Sequence, residues 1–505
     1  MTDLFGHAKD RIRNTALRSR LMTPEEASIY VQDGATVGCS GFTPAGYPKV
    51  VPSAMADRAL NGGPKNFTLW TGASVAPELD GRLAEAGAIS YRFPYQTGKA
   101  IRDAINGGEV GFQDMHLSMT PQNLRYGFYG PMDVAIIEVC AITEEGNLVP
   151  TTSVGNSPSF VESAERVIVE VNTSQPEGLE GIHDIFIPEE PPYRKPFHVL
   201  KVNDRIGTPY ITCPMEKIVA IVPSNVPDHL TPMKEPDPVS RAMARNLMDL
   251  LSVEVSSGRL PPGLLPIQAG VGNVANAVIG ELVDWPTDDL RIYSEVIQDS
   301  MLTLLETGKV QQMSGTAFTN SPEGAKKLLR RLEEIRKKAV LRPQEISNHP
   351  EIIRRLGLIA INTALEVDIY GHVNSTVAMG SKMINGIGGS GDFARNAFLS
   401  VFLSPSTANG GKISRIVPFC SHVDHTEHDV DVVITEYGVA DLRGLVPRER
   451  SRLMIEKCAH PDYRAPLMEY LRLGEAKGGH EPHDLASALG WHLNYIEKGT
   501  MVPDQ

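Results

Sequence analysis

Two stretches of this chain carry the same order of events, and that repetition limits the fold more than any other feature. Near the start, an apolar run from Ala35 to Ser40 enters the turn Gly41-Phe42-Thr43-Pro44-Ala45-Gly46-Tyr47-Pro48 and then a helical run, Pro52 to Leu60. Far downstream, the apolar run Leu264 to Ile267 enters Gly270-Val271-Gly272-Asn273-Val274-Ala275, again ahead of a helical run. A second landmark returns after nearly the same interval: Glu144-Glu145-Gly146-Asn147-Leu148-Val149-Pro150 resembles Asp368-Ile369-Tyr370-Gly371-His372-Val373-Asn374. A strand that closes on glycine and feeds a helix opens a βα unit, and strands spaced by helices pack as parallel α/β sheets. The expected fold class is α/β, in two related open α/β domains with mainly parallel sheets. Prolines 223, 227, 232, 236 and 238 cluster between the halves. Such a stretch marks a boundary, so the domains are placed at 1–225 and 226–505.

Further strands are expected at Phe67–Trp70, Met132–Glu138, Arg166–Val171, Leu290–Tyr293, Leu365–Tyr370, Ile413–Phe419 and Val430–Thr435. Met132–Glu138 hardly alternates, which reads as a strand buried on both faces. Residues 1–35 read as helical. Pro322–Lys338 reads as one helix whose alternating charges face solvent. Pro461–Met501 reads as amphipathic helix.

Charge and composition exclude several function classes. A net charge of −13 argues against wholesale phosphate binding and hence against a nucleic-acid partner, while a local anion pocket stays compatible with it. No apolar run approaches the ~18 residues of a spanning helix, so no membrane partner is expected. Cys39, Cys140, Cys213, Cys420 and Cys458 are scattered and form no CxxC pair, which suggests a reducing compartment without a disulfide framework or zinc site. The basic stretch Arg11–Arg20 has the look of a presequence, but Asp3 and Asp10 lie beside it. The expected location is cytoplasmic, with a mitochondrial one as the alternative in a eukaryote.

Gly270-x-Gly272-x-x-Ala275 fits the dinucleotide fingerprint, and Glu295 falls at the tip of the next strand, where a ribose-gripping acid would sit. Three readings stay open on spacing alone: a nicotinamide site, another pyrophosphate such as that of coenzyme A at the helix start, or a turn without ligand. Gly386-Ile387-Gly388-Gly389-Ser390-Gly391 is dense enough in glycine for the backbone to approach a ligand and aim N–H groups at one atom, as an oxyanion hole requires. His422, Asp424, His425 and His428 have the composition of a metal cluster. In an extended chain, however, residues 422, 424, 426 and 428 share a face that His425 leaves, so a structural strand end is favoured and no metal is expected. Glu295, beyond the carboxyl end of its strand and near a glycine turn, is placed to act as base or nucleophile.

These motifs occur together in one family. The GVGNVANAV turn, Ser294-Glu295, Ser347-Asn348, the Asn385–Phe393 loop, His422–His425 and Thr435–Gly444 resemble the acetyl-CoA hydrolase/transferase family, class I CoA-transferases, and within it succinyl-CoA:acetate and propionyl-CoA:succinate CoA-transferases. The resemblance implies a CoA-transferase moving coenzyme A between short-chain acyl-CoA and carboxylates by ping-pong chemistry, with the active site at the interdomain cleft. Acetyl-CoA hydrolysis on the same site is the alternative. An NAD-dependent dehydrogenase and a non-catalytic CoA-binding module are more distant ones. Glu295 would match the nucleophile, and Asn348 (side-chain amide) and Gly389 (backbone N–H) the oxyanion-hole donors. Gly270, Val271, Gly272, Asn273, Val274, Asn385, Gly388 and Gly389 would contact coenzyme A, a substrate rather than a resident cofactor. Glu436 would line the carboxylate site. Two positions depart from the succinate/acetate pattern: His229 stands where an Arg is common, and Asn409 where a Lys near the coenzyme is common. A homodimer is also implied.

Overall fold

In the computed structural model, which describes residues 2–73 and 76–501, the first sheet is built around central strands that are largely buried on both faces. β1 (Thr36–Cys39), β2 (Phe67–Trp70), β3 (Ile89–Phe93), β4 (Gly111–Phe112), β5 (Met132–Ile142), β6 (Leu148–Pro150), β7 (Ala164–Asn172) and β8 (Ile218–Ser224) run in the order β4-β3-β2-β1-β5-β7-β8, with β6 beside β5. Every pair along that path is parallel, and only β6 returns antiparallel. The apolar run at β5 extends four residues past its expected end, to Ile142. A parallel sheet covered on both faces needs such near-continuous apolar strands. Val37, Leu69, Val134, Ile136, Ile168 and Val222 form its core with Val51 and Met55 of the helix Val50–Leu60.

The chain divides into two compact units, and the division interleaves the sequence. The first comprises 1–232, 292–302 and 312–355; the second comprises 233–291, 303–311 and 356–505. Within the second unit, the strands Ile267–Ala269, Ile359–Thr363, Leu399–Leu403 and Val432–Thr435 lie side by side in that order, all parallel. The strand Gly438–Asp441 closes this edge antiparallel. Mainly parallel α/β architecture is therefore present in both units, as expected.

The repeated landmarks are the same local structure. Thr143 N–H bonds to Asn147 O at 2.9 Å and Gly146 N–H to Thr143 O at 3.1 Å; Asp368 N–H bonds to His372 O at 3.0 Å and Gly371 N–H to Asp368 O at 3.1 Å. Both glycines have positive φ, 90° and 101°. The strand after each turn pairs back antiparallel on the strand before it. After the first strand of each sheet, Ser40 N–H and Gly270 N–H bond to a neighbouring strand, at Ile136 O and Ile361 O, each at 2.9 Å.

Some expected elements are shorter than their apolar runs. The charged helix breaks at Arg331 into Pro322–Arg330 and Leu332–Lys338. Its amphipathic pattern continues across the break because Leu328 and Ile335, two turns apart, are both buried. The strand expected at Leu365–Tyr370 is confined to Glu366–Asp368, since Asp368 accepts three backbone N–H bonds that turn the chain. Ile413–Phe419 yields two short strands, Ile413–Ser414 and Ile416–Val417. Beyond Pro461 the helix ends at Lys477, with Gly478 at φ 82°, and a separate helix runs Gly490–Lys498. The N-terminal region is helical only in pieces, Thr2–Arg11, Leu17–Arg20 and Pro24–Ser28, the last with a Thr23/Glu26 capping box. No helix among the described residues is long and apolar enough to cross a membrane.

Candidate active site

Glu295 sits in the first unit, just beyond the strand Leu290–Tyr293, in the bend before Val296–Ile297. Its backbone is fixed: Thr316 N–H donates to Glu295 O at 2.7 Å, and Val296–Ile297 pairs with Ala317–Phe318. The side chain is half-buried, and one carboxylate oxygen, Oε1, accepts the Nδ2–H of Asn348. Asn348 is fully buried and follows the one-turn helix Gln344–Ser347. Two residues 53 positions apart are thus brought into hydrogen-bond contact. A carboxylate beside an amide N–H can serve as a nucleophile next to a donor able to hold an oxyanion. Val296, next to Glu295 in the chain, packs in an apolar cluster with Ala317, Phe42, Ala73 and Leu117.

The other residues of the first unit at strand ends include a network that sequence reasoning missed. Lys49 is fully buried, with its ammonium on Glu138 and at 2.9 Å from Asp228. Burial alone would lower its pKa, but Asp228 and Glu138 reverse this and raise it. Thr151 Oγ1–H and Asn172 Nδ2–H donate to Glu138, each at 2.8 Å. Glu170 accepts from the N–H groups of Lys49 and Val50 at 2.8 and 3.1 Å, at the positive end of the helix Val50–Leu60. Asp228 also takes Gly46 N–H at 3.1 Å, Thr152 Oγ1–H at 2.6 Å and Gln175 Nε2–H at 3.0 Å. The available signal was one charge inside each apolar run, YPKVVP, AIIEVC and VIVEVN, because a charge buried there must be paired. Asp228 anchors the segment that carries His229, whose side is exposed and whose N–H donates to Tyr47 Oη at 3.2 Å.

In the second unit, the glycine turn leaves the strand Ile267–Ala269 and Gly272 precedes the helix Asn273–Glu281. Gly272 has φ 125°, a conformation that side-chain-bearing residues rarely adopt, and no side chain among the described residues caps this helix. Val271, Gly272 and Asn273 are exposed, and Val274 is half-buried. Helix starts of this kind favour phosphate. Glu436 lies beyond the strand Val432–Thr435, on the same carboxyl edge of the parallel sheet. Its two oxygens accept Ser406 Oγ–H at 2.5 Å and Ser406 N–H at 2.8 Å.

The second glycine loop also belongs to this unit. Gly388 takes φ 59°, and Gly389 precedes the short helix Ser390–Ala394; both glycines are buried. Asn385 Oδ1 is buried and has no hydrogen-bond partner among the described residues. Ser390 bonds to His425 Nε2 at 3.1 Å, so His425 braces this loop. Asp424 instead accepts from Ser375 N–H and Thr376 Oγ1–H, at 2.6 and 2.9 Å. Asn409 is exposed at φ 48° in a tight turn, its Nδ2–H on Tyr495 Oη at 3.0 Å.

A further cluster was not visible in the sequence: His372, Glu427 and Glu481 converge, with the His372 ring held between Asp368 at 3.0 Å and Glu427 at 2.8 Å. Burial opposes the charged ring, but the Asp368 hydrogen bond and the surrounding carboxylates push its pKa up to about 9.

Solved structures with this fold include RipA from Yersinia pestis (TM-score 0.70, 24% identity, 89% of this chain and 96% of that one) and the 4-hydroxybutyrate CoA-transferase of Porphyromonas gingivalis (TM-score 0.63, 23% identity, 91% and 98%). Residues 7–223 match the acetyl-CoA hydrolase/transferase N-terminal domain, and residues 324–471 match the C-terminal domain of the same name. The chain belongs to the acetyl-CoA hydrolase/transferase family of enzymes. It is 52% identical to the succinyl-CoA:acetate CoA-transferase of Clostridium kluyveri, over 97% of this chain and 92% of that protein. It is 46% identical both to the propanoyl-CoA:succinate CoA transferase of Escherichia coli (95% and 98% covered) and to the acetyl-CoA hydrolase of Schizosaccharomyces pombe (98% of each).

Proposed function

We propose that this enzyme transfers coenzyme A between a short-chain acyl-CoA and a carboxylate, with Glu295 as covalent nucleophile. The observation that carries the reading is the Asn348 amide on the Glu295 carboxylate. In the proposed cycle, a Glu295 oxygen attacks the thioester carbonyl and the CoA thiolate leaves, giving an acyl-glutamyl anhydride. The thiolate then attacks the glutamyl carbonyl and expels the acid as carboxylate, leaving a glutamyl-CoA thioester. An acceptor carboxylate attacks that thioester, and the thiolate returns to the new acyl carbonyl, freeing Glu295. Each addition places negative charge on a carbonyl oxygen, where a donor such as the Asn348 amide is worth ~3 kcal/mol.

The family resemblance assigns the second donor to the Gly389 N–H. It assigns coenzyme contacts to Gly270–Val274, Asn385, Gly388 and Asn409. The exposed helix start after Gly272 and the unpaired Asn385 Oδ1 suit such contacts. Glu436 and His229 are proposed at the carboxylate site. With His229 and Asn409 in place of fixed cations, the preference among carboxylates is expected to differ from that of the succinate/acetate pattern.

Hydrolysis is the second reading, favoured by the relatives named acetyl-CoA hydrolase. It would differ only in water attacking the covalent intermediate. Incubation with succinyl-CoA and labelled acetate separates the two. Labelled acetyl-CoA should form well ahead of free CoA; release of free CoA at the same rate without acetate would favour hydrolysis. Nicotinamide turnover would point to a dehydrogenase, and CoA binding without turnover to a binding module.

A further inference from the structure

The Asn348 amide has two orientations of nearly the same shape and opposite hydrogen-bonding sense. A half-turn would exchange its N–H pair for a carbonyl oxygen and turn a donor into a source of repulsion. The fully buried Ser347 donates its Oγ–H to Asn348 Oδ1 at 2.7 Å; its alternative acceptor, Gln344 O, is farther, at 3.4 Å. With Oδ1 engaged, Nδ2 is the amide atom presented to Glu295.

The turn carrying both residues is clamped from three sides. Tyr293 Oη–H donates to Ile346 O at 2.7 Å, and Gln344 Nε2–H donates to Leu117 O at 3.0 Å. Arg125 grips the buried Glu345 through two N–H···O bonds, at 2.7 and 2.9 Å. The backbone is therefore fixed, and the remaining freedom is rotation of the amide itself.

We infer that Ser347 is a positioning residue for the transfer reaction, its hydroxyl holding the Asn348 amide so that N–H faces the reacting carbonyl. This deepens the reading of Glu295 as nucleophile and rests on it. In the free enzyme the Glu295 carboxylate itself favours the N–H-inward orientation. Once Glu295 is acylated its charge is gone, while the Ser347 hydrogen bond still biases the amide toward that orientation. The contribution of Ser347 is thus largest after the first bond has formed.

Ser347→Ala should lower kcat for exchange about tenfold or more, a fraction of the 10²–10³ typical of losing a whole donor. KM for the acyl-CoA should stay within about twofold, and Ser347→Thr should restore much of the rate. A buried serine can also matter to folding, so the deciding measurement is a double-mutant cycle with thermal unfolding followed in parallel. In an Asn348→Ala background, adding Ser347→Ala should change kcat by less than about twofold, because there is no amide left to orient. An unchanged kcat in Ser347→Ala would overturn the inference. So would an equal loss in both backgrounds, since Ser347 would then act through the fold. Normal exchange by Glu295→Ala would remove the underlying nucleophile reading, an outcome read on a separate variant.

Discussion

The carboxyl edges of the two parallel sheets are filled in opposite ways. In the first unit, Glu138, Glu170 and Asp228 are satisfied by Lys49, by side-chain amides and hydroxyls, and by a helix start. In the second, a strand ends in an exposed glycine turn ahead of a helix, and another ends in Glu436, paired with a serine. The same pattern of strand, turn and helix thus gives one edge that neutralises its own charges and one that presents backbone. Ligands of open α/β sheets bind beyond carboxyl edges, so the second arrangement suits a phosphate-bearing substrate while the first suits a rigid platform. Glu295 and Glu138, both in the first unit, repeat the contrast in miniature. One acid is locked in a buried ion pair, and the other is half-buried against an amide.

Glu295→Ala should produce the largest effect, a loss of exchange of at least about a thousandfold with thermal stability and coenzyme affinity nearly unchanged. Normal transfer by this variant would reduce Glu295 to a structural acid like Glu138. Lys49→Met should do the reverse. Breaking a buried pair strands uncompensated charge and costs about 3–5 kcal/mol. Denaturant unfolding should show that loss, and an unchanged midpoint would mean that the buried charges are not what holds this edge. Gly272→Ala tests the open edge. Among the described residues a Cβ there meets nothing within 4 Å, so the expected penalty is conformational. Holding alanine in a glycine-only region costs about 1–3 kcal/mol, seen as a raised KM for acyl-CoA or a lowered melting point. Neither change would mean that the turn tolerates a different backbone.

The smallest effect is a pH dependence in the second unit. The folded pKa of His372 is raised from 6.5 to about 9. Its stabilising contribution is therefore complete below pH 6.5 and lost as pH rises through about 9. The difference in melting temperature between wild type and His372→Gln should shrink across that window. A constant difference would show that the ring is not held charged.

What was legible in the sequence was local. Strand ends and glycine turns announce themselves over a few residues, so β2 and Leu290–Tyr293 appear where expected, and the two Gly146- and Gly371-type turns share their hydrogen bonds. Element length was less legible, because an apolar run does not say where a side chain will turn the backbone, as Asp368 does after Val367. Pairings across long separations were the least legible. Lys49 with Glu138 and Asp228, and His372 with Glu427 and Glu481, are residues whose partners only folding identifies. Asn348 against Glu295 was reached through family resemblance rather than through spacing. Ser347 stood in the same motif, but its role depends on which amide atom it meets, which sequence does not encode.

The most direct test of the central claim is to trap the intermediate. The enzyme is incubated with acyl-CoA, reduced with borohydride, and mapped by peptide mass spectrometry. The account predicts modification at Glu295, dependent on acyl-CoA and absent from Glu295→Ala. An unmodified Glu295 peptide in enzyme that is exchanging CoA at full rate would contradict it.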